Sequence, residues 1–172
     1  RGSSADTEYV SASVSRLAHE RAGSISSPAV NAPDAGLTCD VKLVANITKK
    51  IAYENKERLQ AGMIIAGWDR KLGPRVYGIP LGGSLMEAPF TVGGSGSAYI
   101  YGFCDNTFRE NMTRAEAEAW VTKAISLAIA RDASSGGVIR LVVIDEKGAE
   151  RKMLQPIEHS VCDDELRPIK RS

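Results

Sequence analysis

The sequence has little of what several common protein classes need. Its three cysteines, Cys39, Cys104 and Cys162, are odd in number and include no Cys-x-x-Cys pair. That spacing indicates neither a disulfide framework nor a zinc site, so reduced, chemically idle thiols are the simplest interpretation. Only two histidines occur, His19 and His159, and neither lies in a segment that looks like a site. A hydrolase of the Ser-His-Asp type is therefore disfavoured, and neither a metal nor an organic cofactor is expected.

Charge and hydropathy exclude two further classes of partner. The chain has 22 Lys and Arg against 21 Asp and Glu, a net charge of +1. Such a balance provides no broad basic surface for nucleic acid or anionic lipid. The longest apolar runs, "MIIAGW" and "VIRLVVI", are too short to span a bilayer, and no signal peptide is recognisable. We expect partners other than nucleic acid or membrane.

The N-terminal third has helical periodicity interrupted by one irregular segment. A first helix is expected over residues 3–22, with a serine as its cap. The segment over 23–36 is rich in Gly, Ser and Pro, which predicts an exposed loop. A second helix is expected from residue 38 or 40 towards residue 59. Its predicted inner face consists of Val41, Val44, Ala45, Thr48, Ile51 and Ala52.

Four short apolar segments between residues 62 and 94 predict consecutive hairpin strands. They are "GMIIAGW", "RVYGIPLGG", "SLMEAP" and "FTVGG", with Gly and Pro at their ends. Pro80 and Gly82 exclude a long uninterrupted strand in this region.

A second helical block and two further strands follow. Helical spacing returns after "GGSGS", and Thr113 with Glu116 predicts a capping box for a helix that ends at Arg131. The segments "GVIRLVVID", expected to be a buried strand, and "AERKMLQ" are joined by "EKG". Helices in pairs and hairpin-connected strands predict an α+β fold over residues 1–155, with residues 156–172 as a tail.

Two polar turns are the candidates for a functional site. In "RDASSGG", Asp132 follows the end of a helix, where the macrodipole disfavours negative charge by about 0.3–1 kcal/mol. Ser134 and Ser135 could donate hydroxyls to it, while the two glycines permit a tight turn. An Asx or Ser turn that closes the helix-to-strand joint explains the same residues equally well.

The "GGSGS" segment at 93–97 allows two interpretations as well. It lacks the lysine and the following Ser or Thr of a phosphate loop, so a small-molecule or nucleotide site is disfavoured. The simplest structural alternative is a tight strand-to-helix turn in which Ser95 or Ser97 caps the next helix.

Three long segments resemble β subunits of the 20S proteasome, most of all the β1 type, the caspase-like catalytic subunit. They are "YENKERLQAGMIIAGWD", "IPLGGSLMEAPFTVGGSGSAYIYGFCDNTFRENMTRAEAEAWV" and "AIARDASSGGVIRLVVIDEKGAERKML". The resemblance runs from Arg1 to about Gln155, and the loop at 23–36 departs from it. It implies an N-terminal-nucleophile hydrolase, a four-layer αββα sandwich, here without its first strands.

The resemblance also implies the chemistry of a threonine protease. In this family a free N-terminal threonine is the nucleophile, and its own amine assists proton transfer. Asp132, Ser135 and Ser95 match the residues that surround this amine, and Gly2 matches the glycine whose N–H forms the oxyanion hole. The threonine itself, its Asp and Lys partners and the basic residue that selects acidic P1 side chains would precede Arg1, so the nucleophile is absent from this chain.

The implied function is peptide-bond cleavage after acidic residues within an assembled ring. A non-catalytic structural β subunit of the same ring is the alternative. Implied partners are the other α and β subunits of the twenty-eight-subunit core, regulatory particles bound through the α rings, and unfolded polypeptide substrates. The implied location is cytoplasm and nucleus.

Overall fold

The fold is defined by a computed structural model that describes residues 40–155. These residues form two compact units, one comprising 40–94 with 144–149 and the other 95–143 with 150–155. The helix expected over 3–22, the loop over 23–36, Gly2 and the tail over 156–172 lie outside the described residues. The elements are α1 (Val41–Glu54), β1 (Met63–Asp69), β2 (Gly73–Ile79), β3 (Met86–Glu87), α2 (Ser97–Thr107), α3 (Arg114–Arg131), β4 (Ile139–Asp145) and β5 (Gly148–Leu154).

Helix α1 begins where the sequence predicts and ends earlier. The Asp40 carboxylate caps it by accepting from the Lys42 N–H at 2.8 Å. Its expected extension towards Leu59 is wrong: the helix ends at Glu54, and its C-cap Asn55 leaves helical geometry with φ −111° and ψ 13°.

The buried face of α1 differs from the prediction by two residues. Ile47 is buried although it was not part of the predicted inner face, and Val44, which was, is only half-buried. The other predicted positions are buried as expected. Val41 and Ala45 pack with Tyr77 of strand β2, which fixes this helix on one face of the first sheet.

The first sheet has the order β1-β2-β3, and both pairings are antiparallel. Strand β2 ends at Ile79, directly before Pro80, so the expected interruption of "RVYGIPLGG" is confirmed, and the residues of this segment after Ile79 are not in the strand. The strand expected from "FTVGG" does not form. Strand β3, expected from "SLMEAP", comprises only two residues. Pro89 has no N–H to donate, so the hydrogen-bond ladder stops after Ala88, which still donates to the Val76 carbonyl.

The second unit is organised around α3, whose ends are both set by its sequence. The Thr113–Glu116 capping box is confirmed, with each residue bonding to the other's backbone N–H. The expected end at Arg131 is also confirmed. Trp120 stacks on Phe103 and donates its indole N–H to the Thr107 hydroxyl at 2.8 Å, which holds α2 against α3.

Strands β4 and β5 form the hairpin that the sequence predicts, joined by Glu146 and Lys147. The expectation that strand β4 is buried along its whole length is wrong. Ile139 and Leu141 are buried, whereas Val142 is 48% exposed. Burial alternates because only one face of the described hairpin is covered. Antiparallel strands with separate helices confirm the α+β class.

None of the helices within residues 40–155 combines the length and apolar character that crossing a bilayer requires.

Four charged side chains connect the first turns of α3 to strand β5. Glu118 accepts from Arg114 and from Lys152, each at 2.8 Å. Glu150 pairs with the same two cations. The hydrogen bond from Lys152, and then that from Arg114, lowers the pKa of Glu118 below its ordinary 4.5.

The variant Glu118→Gln tests this network through pH. A lowered folded-state pKa stabilises the fold above the unfolded value, and that stabilisation is lost as pH falls through the lower pKa. We expect the variant's thermal midpoint to lie below the parent's at neutral pH, with the gap closing below pH 4.5. The control is Glu110→Gln, an exposed residue of the α2–α3 connection. A gap that stays constant down to acid pH would contradict the network's role.

Candidate functional site

The Asp132 carboxyl lies at the C-cap of α3 and is 7% exposed. Its backbone N–H continues the helix by donating to the Ala128 carbonyl at 2.8 Å. Its Oδ1 accepts from the Ser134 N–H at 3.1 Å, and its carbonyl accepts from the Ser135 N–H at 3.0 Å. The Asx turn that the sequence allowed is therefore present, and it occupies only one carboxylate oxygen.

The other oxygen, Oδ2, joins two distant turns. It accepts from the Ser95 hydroxyl at 2.6 Å and from the Ser135 hydroxyl at 2.5 Å. Since an ionised carboxylate only accepts, each hydroxyl commits its single proton to Oδ2. The lone pairs of both hydroxyl oxygens then remain for an outside N–H donor, and both side chains are only half-buried. We call Ser95, Asp132 and Ser135 the Ser-Asp-Ser cluster.

The hydrogen bonds within the cluster compensate for the cost of placing the Asp132 carboxylate at the C-terminus of a helix. Negative charge at the C-terminus of a helix costs about 0.3–1 kcal/mol. Hydrogen bonds to a charged group contribute about 1.5–3 kcal/mol each, so the bonds made to Asp132 outweigh that cost.

The loop that contains Ser95 is not a turn in which a serine side chain caps the following helix. Gly96 is the N-cap of α2, and no side chain caps that helix. The expectation that Ser95 or Ser97 caps α2 is therefore wrong, because the Ser95 hydroxyl is directed to Asp132 instead. Positive φ occurs at Gly94 (94°) and at Gly137 (80°), which allows both loops to turn sharply.

One contact of the site was not foreseen from the sequence. Gly96 faces Ala128 of α3 so closely that a Cβ built on Gly96 would lie 3.0 Å from the Ala128 Cβ. The sequence signal for this contact was the glycine between two serines, which is equally compatible with close packing and with a turn.

Other chemistry within residues 40–155 is sparse. Burial, with a smaller effect of Asp105, raises the pKa of the Cys104 thiol, which makes it a poor nucleophile. No group of three or more His, Cys, Asp or Glu in these residues could hold a metal ion. A cavity of about 360 Å³ in the first unit is lined by Pro74, Arg75, Val76, Glu87, Ala88 and Pro89 and includes no member of the cluster.

Comparison with known proteins supplies the family. A family model described as "Proteasome subunit" matches residues 34–144, a range that includes the whole Ser-Asp-Ser cluster. "Proteasome subunit beta type-6" of Arabidopsis thaliana is 44% identical over 97% of this chain and 67% of its own length.

Two yeast relatives extend the comparison. "Probable proteasome subunit beta type-1" of Schizosaccharomyces pombe is 54% identical over 65% of this chain and 50% of its own length. "Proteasome subunit beta type-1" of Saccharomyces cerevisiae is 47% identical over 71% and 57% respectively. This chain thus spans two thirds of the plant relative and 50% and 57% of the two yeast proteins. It belongs to the proteasome subunit family, among the β subunits.

Proposed function

We propose that this chain is part of a β1-type catalytic subunit, a threonine endopeptidase that cleaves peptide bonds after acidic residues within an assembled ring. The observation that carries the proposal is the Ser-Asp-Ser cluster, in which one carboxylate oxygen orients two half-buried hydroxyls. The family resemblance gives these residues their counterparts around the N-terminal amine of a threonine.

The cluster's chemistry suits an amine. Asp132 takes both hydroxyl protons, so the Ser95 and Ser135 oxygens present lone pairs that N–H groups can donate to. An α-amine has an ordinary pKa of about 7.7–8.0, close to the value a general base needs near neutral pH. The neutral amine would take the proton from the threonine hydroxyl as its oxygen attacks the substrate carbonyl, and later deliver it to the leaving amine.

Three further features belong to the same proposal. The Gly2 N–H would stabilise the oxyanion of the tetrahedral intermediate. The complete subunit would be a four-layer αββα sandwich, with residues 1–155 in that domain and 156–172 as its tail. It would assemble with the other α and β subunits of the core, receive unfolded polypeptides through regulatory particles on the α rings, and reside in cytoplasm and nucleus.

A non-catalytic structural β subunit is the second candidate. It needs only membership of the β-subunit family, which the relatives establish, and their names do not mention catalysis. The cluster favours the catalytic candidate, because the Asx turn at Asp132 requires only Oδ1. A purely structural turn has no need of Oδ2 bonded to two hydroxyls from separate loops.

The experiment is a peptide-cleavage assay on assembled particles that carry Ser135→Ala in the full-length subunit. We expect kcat for peptides with Glu or Asp at P1 to fall about 10²-fold, because general-base chemistry contributes about 10²–10⁴-fold. The matched control is Gly136→Ala in the same loop, where an added Cβ meets no atom within 4 Å. Cleavage after acidic residues that is equal in both variants would favour the structural candidate.

A further inference from the structure

We propose that Gly96 and Ala128 act as a positioning pair, which sets how closely the Ser95 hydroxyl approaches Asp132. The inference rests on the proposed function and adds a geometric determinant to the same site. Ser95 immediately precedes Gly96, and Ala128 lies in the last turn of α3, one turn before Asp132. The contact of the two small residues therefore joins the same elements as the Ser95–Asp132 hydrogen bond.

Three atoms lie close to the position that a Cβ on Gly96 would occupy. Its added Cβ would lie 3.0 Å from the Ala128 Cβ, 3.4 Å from Asp132 Oδ2 and 3.4 Å from Ser135 Oγ. Gly96 is itself buried. Carbon atoms in ordinary contact lie about 3.5–4.0 Å apart, so a methyl group at this position comes too close to Ala128.

The requirement for glycine here is steric and not conformational. Gly96 has φ −79° and ψ −8°, values that any L-residue adopts. The methyl group of Ala128 has no rotamer that would move it away, and its backbone is fixed in a helix. Relief must come from displacement of the loop, and Ser95 moves with it. The 2.6 Å bond from Ser95 to Asp132 Oδ2 is then the first contact to lengthen.

A displaced Ser95 should affect the chemical step more than substrate binding. A misplacement of about 1 Å can cost about 10²-fold in rate, so a shift of a few tenths of an ångström should cost up to about 10-fold. The Ser95 oxygen, as an acceptor, favours the protonated form of the amine, so its withdrawal lowers the amine's pKa. Because the base acts in its neutral form, the acidic limb of the pH–rate profile should move to lower pH. A change in general stability would not move that limb.

The test uses assembled particles with the full-length subunit carrying Gly96→Ala, alone and combined with Ala128→Gly. We expect Gly96→Ala to lower kcat up to about 10-fold with KM little changed. Adding Ala128→Gly removes the 3.0 Å contact and should restore most of the rate. The control is Gly102→Ala in α2, whose added Cβ meets no atom within 4 Å.

The outcomes separate this inference from the proposed function. If Asp132→Asn abolishes cleavage while Gly96→Ala retains it, the positioning pair is wrong and the catalytic proposal stands. If Asp132→Asn retains cleavage, the proposed function fails. A Gly96→Ala defect that the double variant does not repair also overturns the pair. Should Gly96→Ala prevent assembly, recovery of both assembly and rate in the double variant supports the pair, and failure of that recovery contradicts it.

Discussion

Asp132→Asn in the full-length subunit is expected to lower kcat for cleavage after acidic residues about 10³-fold, with the fold intact. The amide oxygen takes the place of Oδ1 and still accepts from the Ser134 N–H, so the Asx turn persists. The amide NH₂ takes the place of Oδ2 and donates, so the Ser95 and Ser135 hydroxyls must accept from it. On the proposed function, their lone pairs would then no longer be available to the threonine amine. The measurement is kcat together with the thermal midpoint of the assembled particle.

The matched control for this substitution is Asp145→Asn. Asp145 makes the same type of turn in the β4–β5 hairpin, where its Oδ1 accepts from the Lys147 N–H at 2.8 Å. Both substitutions preserve an Asx turn, and only Asp132→Asn changes a carboxylate oxygen that holds two hydroxyls. Equal activities of the two variants would show that the Asp132 carboxylate serves the turn alone.

Gly83→Ala is expected to destabilise the protein by about 3 kcal/mol or more, the largest stability effect that we foresee for a single methyl group. Gly83 is buried with φ +76°, in the left-handed region that disfavours side chains. Its added Cβ would lie 2.7 Å from the Tyr53 backbone nitrogen and 2.9 Å from the Tyr53 Cα. These are backbone atoms near the end of α1, so they cannot rotate away.

Gly82→Ala isolates the steric part of that effect. Gly82 also has positive φ (96°), but an added Cβ meets no atom within 4 Å. Its substitution should therefore cost only the conformational strain, about 1 kcal/mol. Thermal unfolding of both variants gives the comparison. Equal midpoints for the two would contradict close packing between Gly83 and α1.

Local chemistry explains most of what the sequence could predict. The capping box at Thr113, the helix end at Arg131 and the strand interruption at Pro80 each depend on a few neighbouring residues. The errors arise where two local preferences compete. Helical periodicity continued past Asn55, but the Asn55 backbone departs from helical dihedrals and ends α1 there. "FTVGG" has strand composition, but Pro89 interrupts the ladder before it.

The candidate site lay beyond local rules because its parts are far apart in the chain. Ser95 and Asp132 are 37 positions apart, and no periodicity or cap connects them. Considered alone, Asp132 was equally compatible with an Asx turn, and the structure contains that turn as well. Only the family resemblance placed the two loops at one site. The role of Gly96 required knowledge of what faces it, which is a property of tertiary packing.

Covalent labelling with a peptide epoxyketone tests the central claim most directly. Such a reagent bonds to both the hydroxyl and the amine of an N-terminal threonine, so it reports the nucleophile and its base together. On native assembled particles, mass spectrometry should locate the adduct on the N-terminal threonine of the mature subunit that contains Ser95, Asp132 and Ser135. The Asp132→Asn variant should label far more slowly. An assembled subunit with another N-terminal residue, and no adduct, would contradict the account.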